Sequence, residues 1–281
     1  MYALQLEQVS KQYDGFLLDS VSFALPGGCI MGFIGENGAG KSTTIKLILD
    51  LIHADSGSVS VLGQNISSAP VSLKEDIGVV LDESCFPELL TVKNVRTILK
   101  HTYRNWDDAR FTELTARFAL PMGKKIKELS KGMKVKLSIA AALSHHAKLL
   151  IMDEPASGLD PIVRDELLDL FLEFIQDEEH SVFLSSHIIS DLEKICDYIT
   201  LIHKGKILLC EEKDRLLQDY GILRCSQSEL AQLPASAVRG VRNHQFGTEA
   251  LVQRHKIPRE YPVDPASIEE IMVFLTKEKV K

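Results

Sequence analysis

A glycine-rich stretch over residues 35–43 holds the residues of this chain that are best suited to chemistry. It reads Gly-Glu-Asn-Gly-Ala-Gly-Lys-Ser-Thr, follows the apolar run 29–34, and precedes apolar residues at helical spacing. In this strand–loop–helix context the pattern predicts a phosphate-binding loop, because glycines let backbone N–H groups turn inward and the helix directs its positive end at the same point. The alternative, a glycine-rich turn before an ordinary helix, is disfavoured by the Lys41-Ser42 pair.

The chemistry expected of this loop is the binding of a nucleoside triphosphate. Lys41 is expected to reach the β- and γ-phosphates, and the Ser42 hydroxyl is expected to ligate Mg²⁺. The predicted binding residues of the loop are Gly35, Asn37, Gly38, Ala39, Gly40, Lys41, Ser42 and Thr43.

Further polar residues follow later predicted strands or open a helix. Asp153-Glu154 comes directly after the apolar run 149–152, and His187 follows the apolar strand 182–184 through two serines. Ser130 precedes a segment with helical periodicity, so it is placed to cap that helix while the first amides of the helix remain available to an anion.

The order of the predicted strands and helices that position these residues indicates an α/β fold. Strands alternate with helices, as expected of a P-loop NTPase sheet that is mostly parallel with an antiparallel edge from the first segment. We predict a main domain over residues 1–220, with a helical subdomain at about residues 84–147. Residues 221–281 are predicted to form a small α+β accessory domain. We also predict a long helix over residues 161–179, and a last helix that Asp264 caps and Pro265 begins.

Composition limits the classes of function. The chain of 281 residues has 25% charged residues and a formal net charge of −7, and this acidic balance argues against a nucleic-acid partner. Its five widely spaced cysteines indicate neither a disulfide framework nor a zinc site, as expected in a reducing cytosol. No apolar run approaches the roughly 18–20 residues that a membrane span needs, and the first residues lack the features of a signal peptide.

The order of these motifs resembles the ATPase subunit of ABC transporters, over about residues 4–214, and most of all the subunits of bacterial exporters of peptides, antibiotics and other drugs. The resemblance implies ATP and Mg²⁺ as cofactors. It also implies that Asp153 binds Mg²⁺ through water, and that Glu154 orients and activates the attacking water as a general base.

Three further roles follow from the same resemblance. His187 matches the switch histidine that contacts the γ-phosphate, residues 157–160 match the D-loop at a dimer interface, and Tyr13 matches the aromatic residue that stacks on adenine. Lys41, Glu154 and His187 are the implied catalytic residues.

Residues 129–133, Leu-Ser-Lys-Gly-Met, resemble the ABC signature, which is commonly Leu-Ser-Gly-Gly-Gln. In the family the signature of one subunit closes over the nucleotide of the other, so a head-to-tail homodimer is implied. Ser130 and the Gly132 amide would hold the γ-phosphate. Lys131, a departure from the usual motif, either adds a cation near that phosphate or faces solvent.

A second departure is Asp82, which stands where the family has the Q-loop glutamine and is followed by Glu83. An aspartate can ligate Mg²⁺, but it reaches less far than glutamine and, when ionised, donates no hydrogen bond. The implied metal ligands are therefore Ser42, Asp82 and Asp153.

The function that these features favour is the ATP-hydrolysing subunit of an ABC exporter, in which ATP closes a dimer and drives separate membrane subunits. A transmembrane permease is expected to bind near residues 84–100 through its coupling helix, which would hold the chain at the inner face of the cell membrane. The alternatives are a soluble ABC-type ATPase acting on ribosomes or DNA, and an unrelated P-loop kinase or GTPase. The soluble ABC-type ATPase is disfavoured because the chain has a single ATPase cassette. The kinase or GTPase is disfavoured by the signature and by His187.

Overall fold

The computed structural model describes residues 1–82, 85–244, 247–258 and 260–276. Glu83, the predicted start of the helical subdomain at residue 84 and the end of the predicted accessory domain at residue 281 lie outside these ranges. The strands are β1 (Tyr2–Tyr13), β2 (Phe16–Pro26), β3 (Ile30–Ile34), β4 (Ser56–Val61), β5 (Gln64–Asn65), β6 (Ile77–Val80), β7 (Leu149–Asp153), β8 (Ser181–Ser186), β9 (Tyr198–His203), β10 (Lys206–Glu212), β11 (Tyr220–Cys225), β12 (Val238–His244), β13 (Gly247–Gln253) and β14 (Val263–Pro265).

The helices are α1 (Lys41–Ile48), α2 (Val71–Glu75), α3 (Val92–Thr102), α4 (Asp108–Arg117), α5 (Lys131–Ala142), α6 (Pro161–Phe174), α7 (Ile189–Ile195), α8 (Lys213–Asp219), α9 (Gln227–Leu230) and α10 (Ile268–Thr276). Short 3₁₀ turns cover Ile66–Ser68, Ile126–Glu128 and Arg254–Lys256. Each helix in the described ranges is too short or too polar to cross a bilayer.

A six-stranded sheet of order β10-β9-β3-β8-β7-β6 forms the centre of the molecule. Its strands are parallel except for β10, which pairs antiparallel with β9. Every residue of β3, β7 and β8 is buried, which explains why these strands read as continuous apolar runs. The carboxyl ends of these three strands meet at one edge, where open α/β sheets bind ligands. The predicted α/β fold is confirmed.

The first segment of the chain forms a separate antiparallel sheet of order β2-β1-β4-β5. We predicted that this segment supplies the antiparallel edge of the central sheet, but that edge is β10. The reason is packing, since alternate residues of β2 point at the face of the central sheet instead of extending its hydrogen bonds. The Phe23 ring lies 5.5 Å from that of Phe33 and 5.7 Å from that of Phe183.

Helices α3, α4 and α5, in the segment where we expect a helical subdomain, pack around buried Phe111 and Leu114. Asp108 joins α4 to α3, because its carboxylate accepts hydrogen bonds from Nε and Nη2 of Arg96, each at 2.8 Å, and from Nε1 of Trp106 at 3.2 Å. The Arg96 guanidinium and the Trp106 indole hold the pKa of Asp108 well below its usual range.

The C-terminal part contains a third sheet, of order β12-β13-β11-β14, followed by α10. The prediction that Asp264 caps the last helix and Pro265 begins it is wrong. Both residues lie in β14, where strand pairing with Gly221 and Ile222 overrides the capping pattern. Ser267 opens α10 instead, by accepting a hydrogen bond from the Glu270 amide at 3.2 Å.

The prediction for α6 is wrong at its end, because the helix stops at Phe174 and not at residue 179. The His180 ring stacks on Phe174 with 4.3 Å between ring centroids, and its Nδ1 lies 2.9 Å from the Phe174 carbonyl oxygen. The histidine ring therefore provides a polar partner for a carbonyl oxygen at the helix end, one residue before β8 begins.

Candidate active site

The glycine-rich loop joins β3 to α1 at the carboxyl edge of the central sheet. Gly40, immediately before α1, has a φ of 114°, a backbone conformation that residues other than glycine rarely adopt. Gly35 has no room for a side chain, since a Cβ there would lie 2.6 Å from the Ile202 carbonyl oxygen. The loop geometry expected for phosphate binding is therefore built from backbone that glycine alone allows.

A cleft of about 460 Å³ lies over this loop. Of the residues predicted for the site, those that line it are Asn37, Gly38, Gly40, Lys41, Ser42, Thr43, Asp82, Asp153 and Glu154. A larger cleft, of about 910 Å³, includes no predicted site residue among its described lining residues. The smaller cleft is thus where the predicted chemistry converges.

Lys41 is 7% exposed and lines this cleft. Its Nζ donates a hydrogen bond to the Gly35 carbonyl oxygen at 2.8 Å and lies 3.4 Å from Oε1 of Glu154. A buried ammonium group of this kind can form charge-assisted hydrogen bonds with an anion that enters the cleft.

Glu154 follows β7 in a left-handed conformation, with a φ of 51°. Its Oε2 lies 2.5 Å from Nδ1 of His187 and accepts a hydrogen bond from the His187 amide at 3.3 Å. One carboxylate therefore joins the lysine of the loop to the histidine that follows β8. A carboxylate held in this way has the chemistry that a general base requires.

The oxygen donors at the cleft suit Mg²⁺. Ser42 is exposed at the start of α1, Asp153 is 8% exposed at the end of β7, and Asp82 lies just beyond β6. Within the described ranges, His, Cys, Asp and Glu form no group of three or more that could hold a metal ion by itself. This donor set fits Mg²⁺, which takes few protein ligands and completes its shell with water and phosphate oxygens.

The predicted signature residues lie outside the lining of the cleft. Ser130 caps α5, since its Oγ accepts a hydrogen bond from the Met133 amide at 3.2 Å. A Cβ on Gly132 would lie 3.1 Å from Leu159, so the signature packs beside the predicted D-loop. Lys131 forms an ion pair with Asp82, with 2.9 Å between Nζ and Oδ1. Neither alternative that the sequence left open for Lys131 included this partner.

The segment predicted as the D-loop is a turn that ends at the start of α6. Asp160 caps this helix by accepting a hydrogen bond from the Val163 amide at 3.1 Å. Arg164 extends from α6 to α7, where its Nε lies 3.6 Å from Oδ2 of Asp191. Burial raises the pKa of Asp191, and the positive charge of Arg164 opposes that shift.

Sequence reasoning missed several residues at the site, among them Glu36, which lines the cleft, and Ser185 and Phe16. Ser185 is fully buried, and its Oγ donates a hydrogen bond to Oδ1 of Asp153 at 2.6 Å. Phe16 lines the cleft, whereas Tyr13, predicted to stack on adenine, is 41% exposed and is not among the lining residues. The aromatic nature of Phe16 and its position after the turn at residues 14 and 15 were the available signals.

Comparison with known proteins identifies the family of this chain. The family model described as ABC transporter matches residues 18–157. The ABC transporter ATP-binding protein YtrB of Bacillus subtilis is 32% identical over 218 residues, which is 77% of this chain and 74% of that protein. The linearmycin resistance ATP-binding protein LnrL of Bacillus subtilis is 30% identical over 285 residues, which is 98% of this chain and 89% of that protein.

A solved structure described as the ATP-binding subunit of an ABC transporter has a TM-score of 0.69 and 28% identity, and the match covers 76% of this chain and 91% of the solved chain. The cleft of the present chain is lined by Lys41 of the glycine-rich loop and by Asp153 and Glu154, and His187 contacts Glu154. The chain belongs to the ABC transporter family, as one of its ATP-binding, ATP-hydrolysing subunits.

Proposed function

We propose that Glu154 is the general base for ATP hydrolysis, with Lys41 binding the β- and γ-phosphates and His187 contacting the γ-phosphate. The observation that carries this proposal is the position of the Glu154 carboxylate, which lies 3.4 Å from Nζ of Lys41 and 2.5 Å from Nδ1 of His187. A phosphoryl group held by the loop would meet a cation, a base and a hydrogen-bonding imidazole together. The role of the protein is then to bind the phosphates, orient water and accept its proton.

Mg²⁺ would be held by Ser42 and, through water, by Asp153, with Asp82 at the edge of the same cleft. When bound, it would neutralise charge that develops on the phosphate oxygens. Gly35, Asn37, Gly38, Ala39, Gly40 and Thr43 would supply the backbone and hydroxyl groups around the phosphates. Tyr13, the last residue of β1, would stack on adenine beside its register partner Phe16.

The composite site would be completed by a second copy of the chain. In the single chain, Ser130, Lys131 and Gly132 lie outside the lining of the cleft, although Ser130 leaves helix-end amides available to an anion. A head-to-tail homodimer would bring these residues of one copy to the γ-phosphate held by the other. ATP drives such closure only if it binds the closed dimer more tightly than the open form.

The coupling surface for a transmembrane permease would lie at residues 84–100, of which the structure describes residues 85–100. Leu89 is 70% exposed and Ile98 is 48% exposed, so the described part of this segment presents apolar side chains to solvent. The resistance function in the name of the LnrL relative supports an exporter of antibiotic-like substrates. The chain would then act at the inner face of the cell membrane, with residues 1–220 as ATPase domain and residues 221–281 as accessory domain.

The test is ATP hydrolysis by a Glu154→Gln variant, because glutamine keeps the shape of the side chain but accepts no proton. We expect the rate to fall by about 10²- to 10⁴-fold, while ATP binding is retained and the ATP-bound variant runs as a dimer in gel filtration. Glu178→Gln is the matched control, since Glu178 is exposed and does not line the 460 Å³ cleft. Hydrolysis by Glu154→Gln at the wild-type rate would overturn the assignment.

A further inference from the structure

Ser185 lies at the carboxyl end of β8, beside the two acids of the site. In the parallel pairing of β7 with β8, its register partner is Asp153. The side chain of Ser185 is fully buried. The hydroxyl is therefore held between two neighbouring strands, at the position where β7 delivers its carboxylates to the cleft.

The single hydroxyl group of Ser185 contacts both acids. Its Oγ donates a hydrogen bond to Oδ1 of Asp153 at 2.6 Å and accepts one from the Glu154 amide at 3.0 Å. Because a hydroxyl has one proton, donation to the carboxylate leaves its lone pairs for the amide. The bond to Oδ1 also leaves Oδ2 of Asp153 for a metal ion or its water.

The second contact bears on the direction of the Glu154 side chain. Glu154 has a φ of 51°, and its amide also donates to the Ser185 carbonyl oxygen at 3.2 Å. Both acceptors for this amide thus belong to Ser185. The left-handed turn that they hold directs the Glu154 carboxylate to Lys41 and His187.

We propose that Ser185 is a positioning residue for ATP hydrolysis, whose buried hydroxyl fixes the Asp153 carboxylate for Mg²⁺ and the Glu154 backbone for its role as base. This inference rests on the proposed roles of Asp153 and Glu154. Ser185 is fully buried and is not among the lining residues of the cleft. It acts as the outer partners of metal ligands do, by restricting the orientation of a ligand.

The matched control lies on the same strand. Ser181 begins β8, is also fully buried, and its Oγ accepts one hydrogen bond, from the Gly28 amide at 3.0 Å. Ser181 is at the opposite end of the strand from Asp153. Ser181→Ala therefore removes a buried hydroxyl from β8 without altering the acids.

The experiment compares Ser185→Ala with Ser181→Ala. Mn²⁺ binding in the presence of ATP is measured by electron paramagnetic resonance, and ATP hydrolysis is measured against Mg²⁺ concentration. For Ser185→Ala we expect Mn²⁺ affinity and kcat each to fall by about 10- to 100-fold, which is the range for loss of an outer partner of a metal ligand. Nucleotide binding without divalent metal should be unchanged, and Ser181→Ala should match the wild type in every measurement except thermal stability.

Equal Mn²⁺ affinity in the two alanine variants would overturn the inference, because a purely structural hydroxyl has no reason to affect the metal. If Ser185→Ala does not fold, Ser185→Cys keeps the shape of the side chain with a weaker donor, and wild-type Mn²⁺ affinity in that variant would likewise overturn it. Failure of the proposed function has a different signature, since Glu154→Gln would then hydrolyse ATP at the wild-type rate.

Discussion

The ion pair between Lys131 and Asp82 joins the signature to the segment after β6. The exposed fractions of the two side chains indicate how large its coupling free energy should be. Nζ and Oδ1 are 2.9 Å apart, but the two side chains are 52% and 51% exposed. Water screens such a pair, and exposed pairs of this kind measure about 0.2–1 kcal/mol. We therefore expect a coupling free energy in that range, equivalent to about a 1.4- to 5-fold change in an equilibrium constant.

The assay is a double-mutant cycle on the nucleotide-free chain, with Lys131→Met, Asp82→Asn and the double variant, each unfolded in urea. The coupling should fall by more than half in 1 M NaCl, where the Debye length is about 3 Å. Lys194 and Asp165 form a control pair with the same chemistry, since their atoms are 2.8 Å apart and their side chains are 59% and 64% exposed. The two cycles should agree in size and in salt dependence.

A coupling above about 2 kcal/mol, or one that salt does not change, would refute this reasoning, because only a desolvated pair behaves in that way. A weak pair has a direct implication for the proposed dimer. Lys131 could leave Asp82 at little cost when a second copy presents a γ-phosphate, so the contact would not hold the subunits apart.

Two further predictions concern the cleft and the helical subdomain. Lys41→Ala should weaken ATP binding by about 10- to 100-fold, as expected for loss of hydrogen bonds to a charged group. The control Lys46→Ala, at an exposed position on the same helix, should bind ATP as the wild type does. Titration with a fluorescent ATP analogue measures both affinities. Because Arg96 and Trp106 lower the pKa of Asp108, its contribution to stability is complete above the unfolded pKa of about 3.9 and is lost as the pH falls toward the folded value. Asp108→Asn should therefore destabilise the chain at pH 7 in urea unfolding, with a difference that shrinks below about pH 4, and a constant difference would contradict the assigned partners.

Features that depend on a local run of residues were predictable from the sequence. The glycine-rich loop follows β3, and Asp153 and Glu154 stand at the end of β7 and directly after it. The continuous apolar run in each buried parallel strand marks where these polar residues begin. The α/β fold followed from the alternation of such strands with helices. These signals require no knowledge of which strands are neighbours.

Contacts between distant segments were not predictable in this way. Ser185 reaches Asp153 only because β7 and β8 pair in one particular register, and Lys131 reaches Asp82 across 49 positions of chain. The Asp264-Pro265 pattern misled because pairing with β11 competes with helix capping, and local sequence does not reveal that partner. Register and tertiary packing decide these positions.

The packing of α10 has a consequence for how the chain tolerates shortening. Ile268, Ile271 and Phe274 of α10 are buried in the same apolar cluster as Leu192 and Ile195 of α7, the helix that follows His187. The Ile268 amide also donates a hydrogen bond to the Glu193 carboxylate at 3.1 Å. A chain cut before β11 would expose this face of α7 to water. Exposed apolar patches of this kind promote aggregation. By covering this apolar face of α7, α10 is expected to protect the chain from aggregation.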